Sequence, residues 1–186
     1  WMDKGLSIVP VSINLSQASL LNMEIVERYA KYRDDAHIPP ASVHLEITES
    51  ATALNIDLKL LIEKFQSHGF EIFLDDFGTG YSSLSTLNTM PFDRVKLDKS
   101  LIDYIKTDKG LFLVDKIIEF SRKYNMKITA EGVEDAEQAA ILKSKLHESD
   151  TLPRVDDIQG YYYAQPLPKG AFEKMLTFPP YMSKHI

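Results

Sequence analysis

Six times along the chain a short apolar, β-rich run is followed by a longer stretch with helical periodicity, and this alternation constrains the fold more than any other feature. The runs fall at residues 6–15, 42–48, 70–77, 94–98, 127–133 and 157–164. Several are nearly continuous in apolar residues, as expected of strands covered on both faces. Between them, Leu58, Leu61, Ile62 and Phe65 form one apolar helical face, and Leu111, Val114, Ile117 and Ile118 form another. Pro39-Pro40, Gly69 and Asn125 fall where the intervening helices should stop. Alternation of this kind predicts parallel βα units. No flexible linker or low-complexity tract interrupts it, so the reading is a single α/β domain over residues 1–186.

Periodicity alone fits both an open doubly wound sheet and a closed barrel. The polar residues separate them. Asn14, Glu46, the pair Asp75-Asp76, Lys96, Glu131 and Gln159 each lie at or near the C-terminal end of a predicted strand. A βα barrel brings all such ends to one face, where the loops build the active site. An open sheet would scatter those far from its switch point. A barrel therefore makes more sense of the sequence.

Clustered carboxylates repel one another unless cations lie among them. With no cysteine and five scattered histidines, none in a helix-face pair, any metal must be held by oxygen. Three or four acids and an amide suit Mg2+ or Mn2+. Adjacent Asp75 and Asp76 could serve two ions, one carboxylate bridging them, and such an ion pair can clamp a phosphodiester and acidify the attacking water. A lysine among the acids could orient or deprotonate that water, or neutralise the pentavalent phosphate. Each residue also has a plainer reading: Asn14 as a turn residue, Glu46 in a surface ion pair, Asp75-Asp76 as turn or cap chemistry, Lys96 as a solvated side chain, Gln159 as a loop residue. Their joint occurrence at successive strand ends is the signal. Gly78-Thr79-Gly80 falls short of a dinucleotide fingerprint and has no P-loop lysine.

The formal net charge of −6, from 27 acidic and 21 basic residues, argues against binding a nucleic acid polymer. A small anionic ligand remains compatible if metal ions supply positive charge. No apolar run reaches membrane-spanning length and residues 1–12 do not read as a signal peptide, so a cytoplasmic domain without membrane insertion is the expectation.

These segments resemble a known family. NLS at residues 14–16, LEITES at 45–50, DDFGTGYSSL at 75–84, VKLDKS at 95–100, AEGVE at 130–134 and QGYYYAQPLP at 159–168 are similar, in order and nearly in spacing, to the motifs of EAL domains. The resemblance implies a (β/α)8 TIM-like barrel that hydrolyses cyclic di-GMP to linear pGpG with two Mg2+ or Mn2+ ions. It implies metal ligation by Asn14, Glu46, Asp75, Asp76 and Glu131, with Asp75 as the bridge. It also implies that Lys96 contacts the attacking water and that Gln159 completes the site. Glu49 and Glu134 would hold the loop 76–83, and Asp98 would support Lys96. Homodimerisation beside that loop and fusion to sensory or GGDEF-type domains are further implications.

Two departures stand out. The chain opens just before the NLS strand, so the strand carrying E-A-L, with its glutamate ligand, is expected to be missing along with the strand before it. The barrel would then be incomplete, its two open edges inviting dimerisation, and catalysis impaired. HESDTLPR at 147–154 makes one connection longer than the family pattern, and it is expected near the rim of the site. The alternatives to an enzyme are a receptor that binds cyclic di-GMP without cutting it, and a protein-interaction scaffold.

Overall fold

The computed structural model describes residues 1–54, 56–80 and 84–177. Strands and helices alternate: β1 Val11–Asn14, α1 Gln17–Leu20, α2 Ile25–Asp35, β2 Val43–Thr48, α3 Leu58–Ser67, β3 Glu71–Phe77, α4 Leu84–Thr89, β4 Arg94–Leu97, α5 Lys99–Ile102, α6 Asp108–Lys123, β5 Lys127–Ala130, α7 Ala136–Lys143, β6 Asp157–Ile158 and α8 Lys169–Thr177. The strands form a six-stranded sheet in the order β1-β2-β3-β4-β5-β6, every pair parallel. Spatial order equal to chain order leaves no point at which the winding reverses. A doubly wound sheet requires such a reversal, whereas one-way winding curls the sheet as in a (β/α)8 barrel, here incomplete at six strands.

One face of every central strand is apolar. Leu45, Ile47, Ile72, Leu74, Val95, Leu97, Ile128 and Ala130 are fully buried and share one hydrophobic core with Leu61, Ile62 and Phe65 of α3 and Val114 and Ile118 of α6. Dispersion and water exclusion across this contact bind the helical layer to the sheet. The alternate residues point the other way and are mostly polar: His44 and Glu46, Asp75, Arg94 and Lys96, Thr129. The near-continuous apolar reading of the strands is thus corrected to a period-two pattern. The barrel interior carries charge because charged groups there pair with one another.

The two edge strands fall well short of their apolar runs. Pro10 has no N–H to extend the ladder of β1. At the other edge, β6 stops after Ile158, and Gly160 packs so closely under the next connection that a Cβ there would lie 2.1 Å from the Val133 carbonyl oxygen. Most βα connections end on a capping side chain, with Asp57, Asp98, Thr107 and Asp135 accepting from the first turns of α3, α5, α6 and α7. His37 at φ 54° and Asn125 at φ 59° follow the ends of α2 and α6. α2 therefore finishes at Asp35, ahead of Pro39-Pro40.

The segment 147–154 is not at the rim of the site. It connects α7 to β6 and therefore lies at the N-terminal ends of the strands, beside Asn125, Met126 and Lys127. Arg154 fixes it there through Asp115 of α6 at 2.7 and 3.2 Å, while Arg122 binds the carbonyls of Pro153 and Arg154. Loops that follow helices are delivered to this end of a βα sheet, and the reactive face lies at the other.

Candidate active site

Lys96 is the centre of the reactive face. Its Nζ lies 2.7 Å from Asp75 Oδ1, 2.9 Å from Glu131 Oε1 and 3.0 Å from Glu46 Oε1. β2, β3, β4 and the residue just after β5 thus each contribute one charged side chain to a common point. Lys96, Glu46 and Asp75 are buried, each no more than 8% exposed. Burial is the largest influence on the ammonium and pulls its pKa down, but hydrogen bonds and charge from Asp75 and Glu131 outweigh it and hold the pKa above the ordinary value. With these carboxylates around it, the metal-free protein holds Lys96 as a cation. Burial raises the pKa of Glu131 and of Asp76. The carboxylates of Asp75 and Glu46 push both the same way, and Lys96 opposes them.

Asp76 follows Asp75 at a register shift between Leu74 and Phe77, and its φ of 55° is in the left-handed region. Regular alternation would send adjacent side chains to opposite faces. The irregularity instead leaves Asp75, Asp76 and Glu131 each with a carboxylate oxygen, all three within 4.8 Å of one another. The loop beyond is held by Glu49, itself 1% exposed, whose Oε2 accepts from Gly78 N at 2.9 Å and Thr79 N at 3.1 Å. Gly78 sits at φ 110°, and a Cβ there would lie 2.6 Å from Leu101 Cδ1. Residues 81–83 of this loop fall outside the described residues.

The remaining sequence-predicted residues take varied places. Asn14 is exposed and pairs in register with Glu46. Gln159 lines, with Glu46 and Lys96, a cavity of about 710 Å³. Its amide continues the β6 ladder to the Ala130 carbonyl at 2.8 Å. Asp98 caps α5 through Ser100 N at 2.9 Å. Burial would raise its pKa, but hydrogen bonds from Ser100 and Lys99 lower it overall. Glu134 pairs with Lys99 at 3.3 Å and is half exposed.

The cavity also has a lower ring that the strand-end reading missed: His44, Phe73, Arg94, Thr129 and Asp157. Each precedes a predicted site residue by two positions, so period-two counting back from Glu46, Asp75, Lys96, Glu131 and Gln159 would have found them.

An oxygen-only set of Asp75, Asp76 and Glu131, with Glu46 and Asn14 adjoining, fits a hard divalent cation. No nitrogen or sulfur donor lies in that set, and Lys96 already meets the cluster's need for positive charge at one point.

Residues 1–166 match the EAL domain family. Cyclic di-GMP phosphodiesterase PdeR of Escherichia coli (strain K12) is 34% identical over 176 residues, covering 94% of this chain and 25% of that protein. The EAL domain of Mycobacterium smegmatis DcpA has a TM-score of 0.82 at 29% identity, covering 95% of this chain and 77% of that one. Klebsiella pneumoniae BlrP1, solved with manganese and cyclic di-GMP, has a TM-score of 0.64 at 26% identity, covering 69% and 34%. The chain spans about a quarter of the length of the curated relatives it matches. Parallel strands in barrel order, an acidic cluster at their C-terminal ends and a match over nearly the whole sequence agree: the chain belongs to the EAL domain family.

Proposed function

We propose that this chain is the metal-dependent phosphodiesterase domain that opens cyclic di-GMP to linear pGpG. One observation carries the reading: a buried ammonium within 3.0 Å of three carboxylates at the ends of three successive βα units, with Asp76 beside them. A scaffold has no use for such a cluster, which costs several kcal/mol of desolvation per ion. The names of PdeR and of the BlrP1 complex support the same substrate.

Asn14, Glu46, Asp75, Asp76 and Glu131 would hold two Mg2+ or Mn2+ ions. When bound, these supply charge neutralisation of the phosphate and a more acidic water. Hydrolysis adds water to phosphorus and breaks the P–O3′ bond, leaving a 5′-phosphate and a 3′-hydroxyl. Lys96 would orient the water and stabilise charge developing on phosphate oxygens. Glu131, 2.9 Å from Lys96 Nζ and within 4.8 Å of the Asp75 and Asp76 carboxylates, would share in holding the ions beside that water. Gln159 offers an amide donor and acceptor at the same cavity. Glu49 fixes the loop that follows Asp76, while Asp98 and Glu134 support the neighbouring α5 end of the site.

No described helix is long and apolar enough to cross a membrane. A cytoplasmic setting, a homodimer through the helices flanking the loop 76–83, and attached sensory or GGDEF-type domains complete the proposal. The test is incubation with cyclic di-GMP and Mn2+ or Mg2+, products resolved by chromatography, with Asp75→Ala alongside. Linear dinucleotide from the parent chain and none from the variant supports the enzyme. Tight binding of cyclic di-GMP without product moves the assignment to a receptor.

A further inference from the structure

β6 is the weakest element that brings a proposed site residue to the cavity. It has two residues, and its ladder runs on one side only, to β5. A strand so short frays readily in isolation. What holds it on the cavity side is Arg94. The residue is 8% exposed, and its Nη1 donates to Thr129 Oγ1 at 2.7 Å and to the carboxylate of Asp157, while the guanidinium carbon lies 5.1 Å from the Phe73 ring centroid. The guanidinium therefore reaches across β5 from β4 to β6.

The partners form a pattern. Phe73 is two residues before Asp75, Thr129 two before Glu131, and Asp157 two before Gln159. Arg94 itself is two before Lys96. Along a strand, two residues is one step on the same face. Arg94 thus repeats, one rung lower, the pattern of contacts that Lys96 makes above it, and extends it to the edge strand. Both bonds leave from Nη1 while Nε is buried without a partner among the described residues, so what sets this side chain apart from a lysine is the flat guanidinium face it turns to the Phe73 ring.

We propose that Arg94 is a positioning residue for the reacting cluster, acting through Asp157 and Thr129 to hold Gln159 of the edge strand at its working place beside Lys96. The proposal rests on the phosphodiesterase reading for its kinetic consequence, though not for its structural one. A misplacement of about 1 Å in a positioned group can cost on the order of a hundredfold in rate.

The test uses Arg94→Met and Asp157→Asn in the full chain, each alone and combined with Gln159→Ala. Two quantities are read: steady-state hydrolysis of cyclic di-GMP with Mn2+, and hydrogen exchange at the Gln159 and Val133 amides. Val133 N donates to the Gln159 carbonyl at 3.1 Å, so both amides report on this edge. The expected result is a fall in kcat of about tenfold or more with KM changed less than about threefold. Exchange at both amides should quicken by about tenfold, while the Phe65 amide in α3 keeps its rate. In the Gln159→Ala background, Arg94→Met should add less than about threefold, since groups acting as one unit are not additive. Equal kinetic losses in both backgrounds, or unchanged exchange at Gln159, would overturn the proposal. Asp157→Asn alters only the exposed partner, so it carries the same comparison if Arg94→Met does not fold. A parent chain that makes no dinucleotide bears on the phosphodiesterase reading alone, and the exchange measurement still judges the clamp.

Discussion

Lys96 places one positive charge among three carboxylates that would otherwise face each other across the barrel interior. Removing one partner from a buried ionic group usually costs about 3–5 kcal/mol, because the charges left behind stay desolvated. Lys96→Met should therefore lower the urea midpoint of the metal-free protein. Mn2+ should restore part of the loss, since a divalent ion supplies charge to the same acids. Hydrolysis should stay at least about a hundredfold down even in saturating Mn2+, because among the described residues no other cationic donor stands at that point. Full recovery of rate with metal would show that Lys96 serves folding alone.

At the scale of elements, the connection after β3 and the start of α7 make separate predictions. Glu49 accepts from two backbone amides of the connection, and Thr79 Oγ1 lies 3.3 Å from the same oxygen. Glu49→Ala leaves those donors without their acceptor, at about 1–3 kcal/mol. Asp76 would lose the loop that follows it, so affinity for Mn2+, measured by calorimetry, should fall by about tenfold or more while far-ultraviolet dichroism is kept. Asp135 begins α7 in a capping box, accepting from Glu137 N at 3.0 Å and Gln138 N at 2.9 Å, and it pairs with Lys106 at 2.6 Å. The hydrogen bond from Lys106 is the largest cause holding its pKa below 3.8. A depressed carboxylate pKa stabilises the fold above the unfolded value, and that contribution is lost as pH falls through the folded value. The stability deficit of Asp135→Asn should accordingly be present at pH 6 and close at acid pH below 3.8, read from urea midpoints at both. A deficit that persists unchanged in acid would rule out the ion pair as its source.

For the molecule as a whole, folding and ion binding are coupled because the ligands come from separate strands. Asp75 and Asp76 lie on β3 and Glu131 follows β5, so only the assembled sheet brings them together. An ion that binds only the native state at a hundred times its Kd adds about 2.7 kcal/mol. For a domain of this size that is a rise in Tm of roughly 5–10 °C. Mn2+ alone should give such a rise, and Asp76→Ala should abolish most of it. A Tm insensitive to Mn2+ in the parent chain would remove the metal centre from the account.

The amino-acid sequence by itself determined the βα alternation, the strand ends carrying Glu46, Asp75, Lys96 and Glu131, and the apolar faces of α3 and α6. These are local matters of period and composition, written in consecutive residues. The convergence of those strand ends also pointed to a barrel, and the one-way strand order bears it out. Tertiary structure alone decided that Lys96 bonds Glu46, Asp75 and Glu131 at once, that the segment 147–154 falls at the opposite end from them, and that Asp98 and Glu134 direct their charge to α5. The lower ring of Arg94, Thr129 and Asp157 was present in the sequence as a step of two before each site residue. It could not be read as a ring, because a strand fixes which face a side chain takes, while the curl of the sheet fixes which side chains meet.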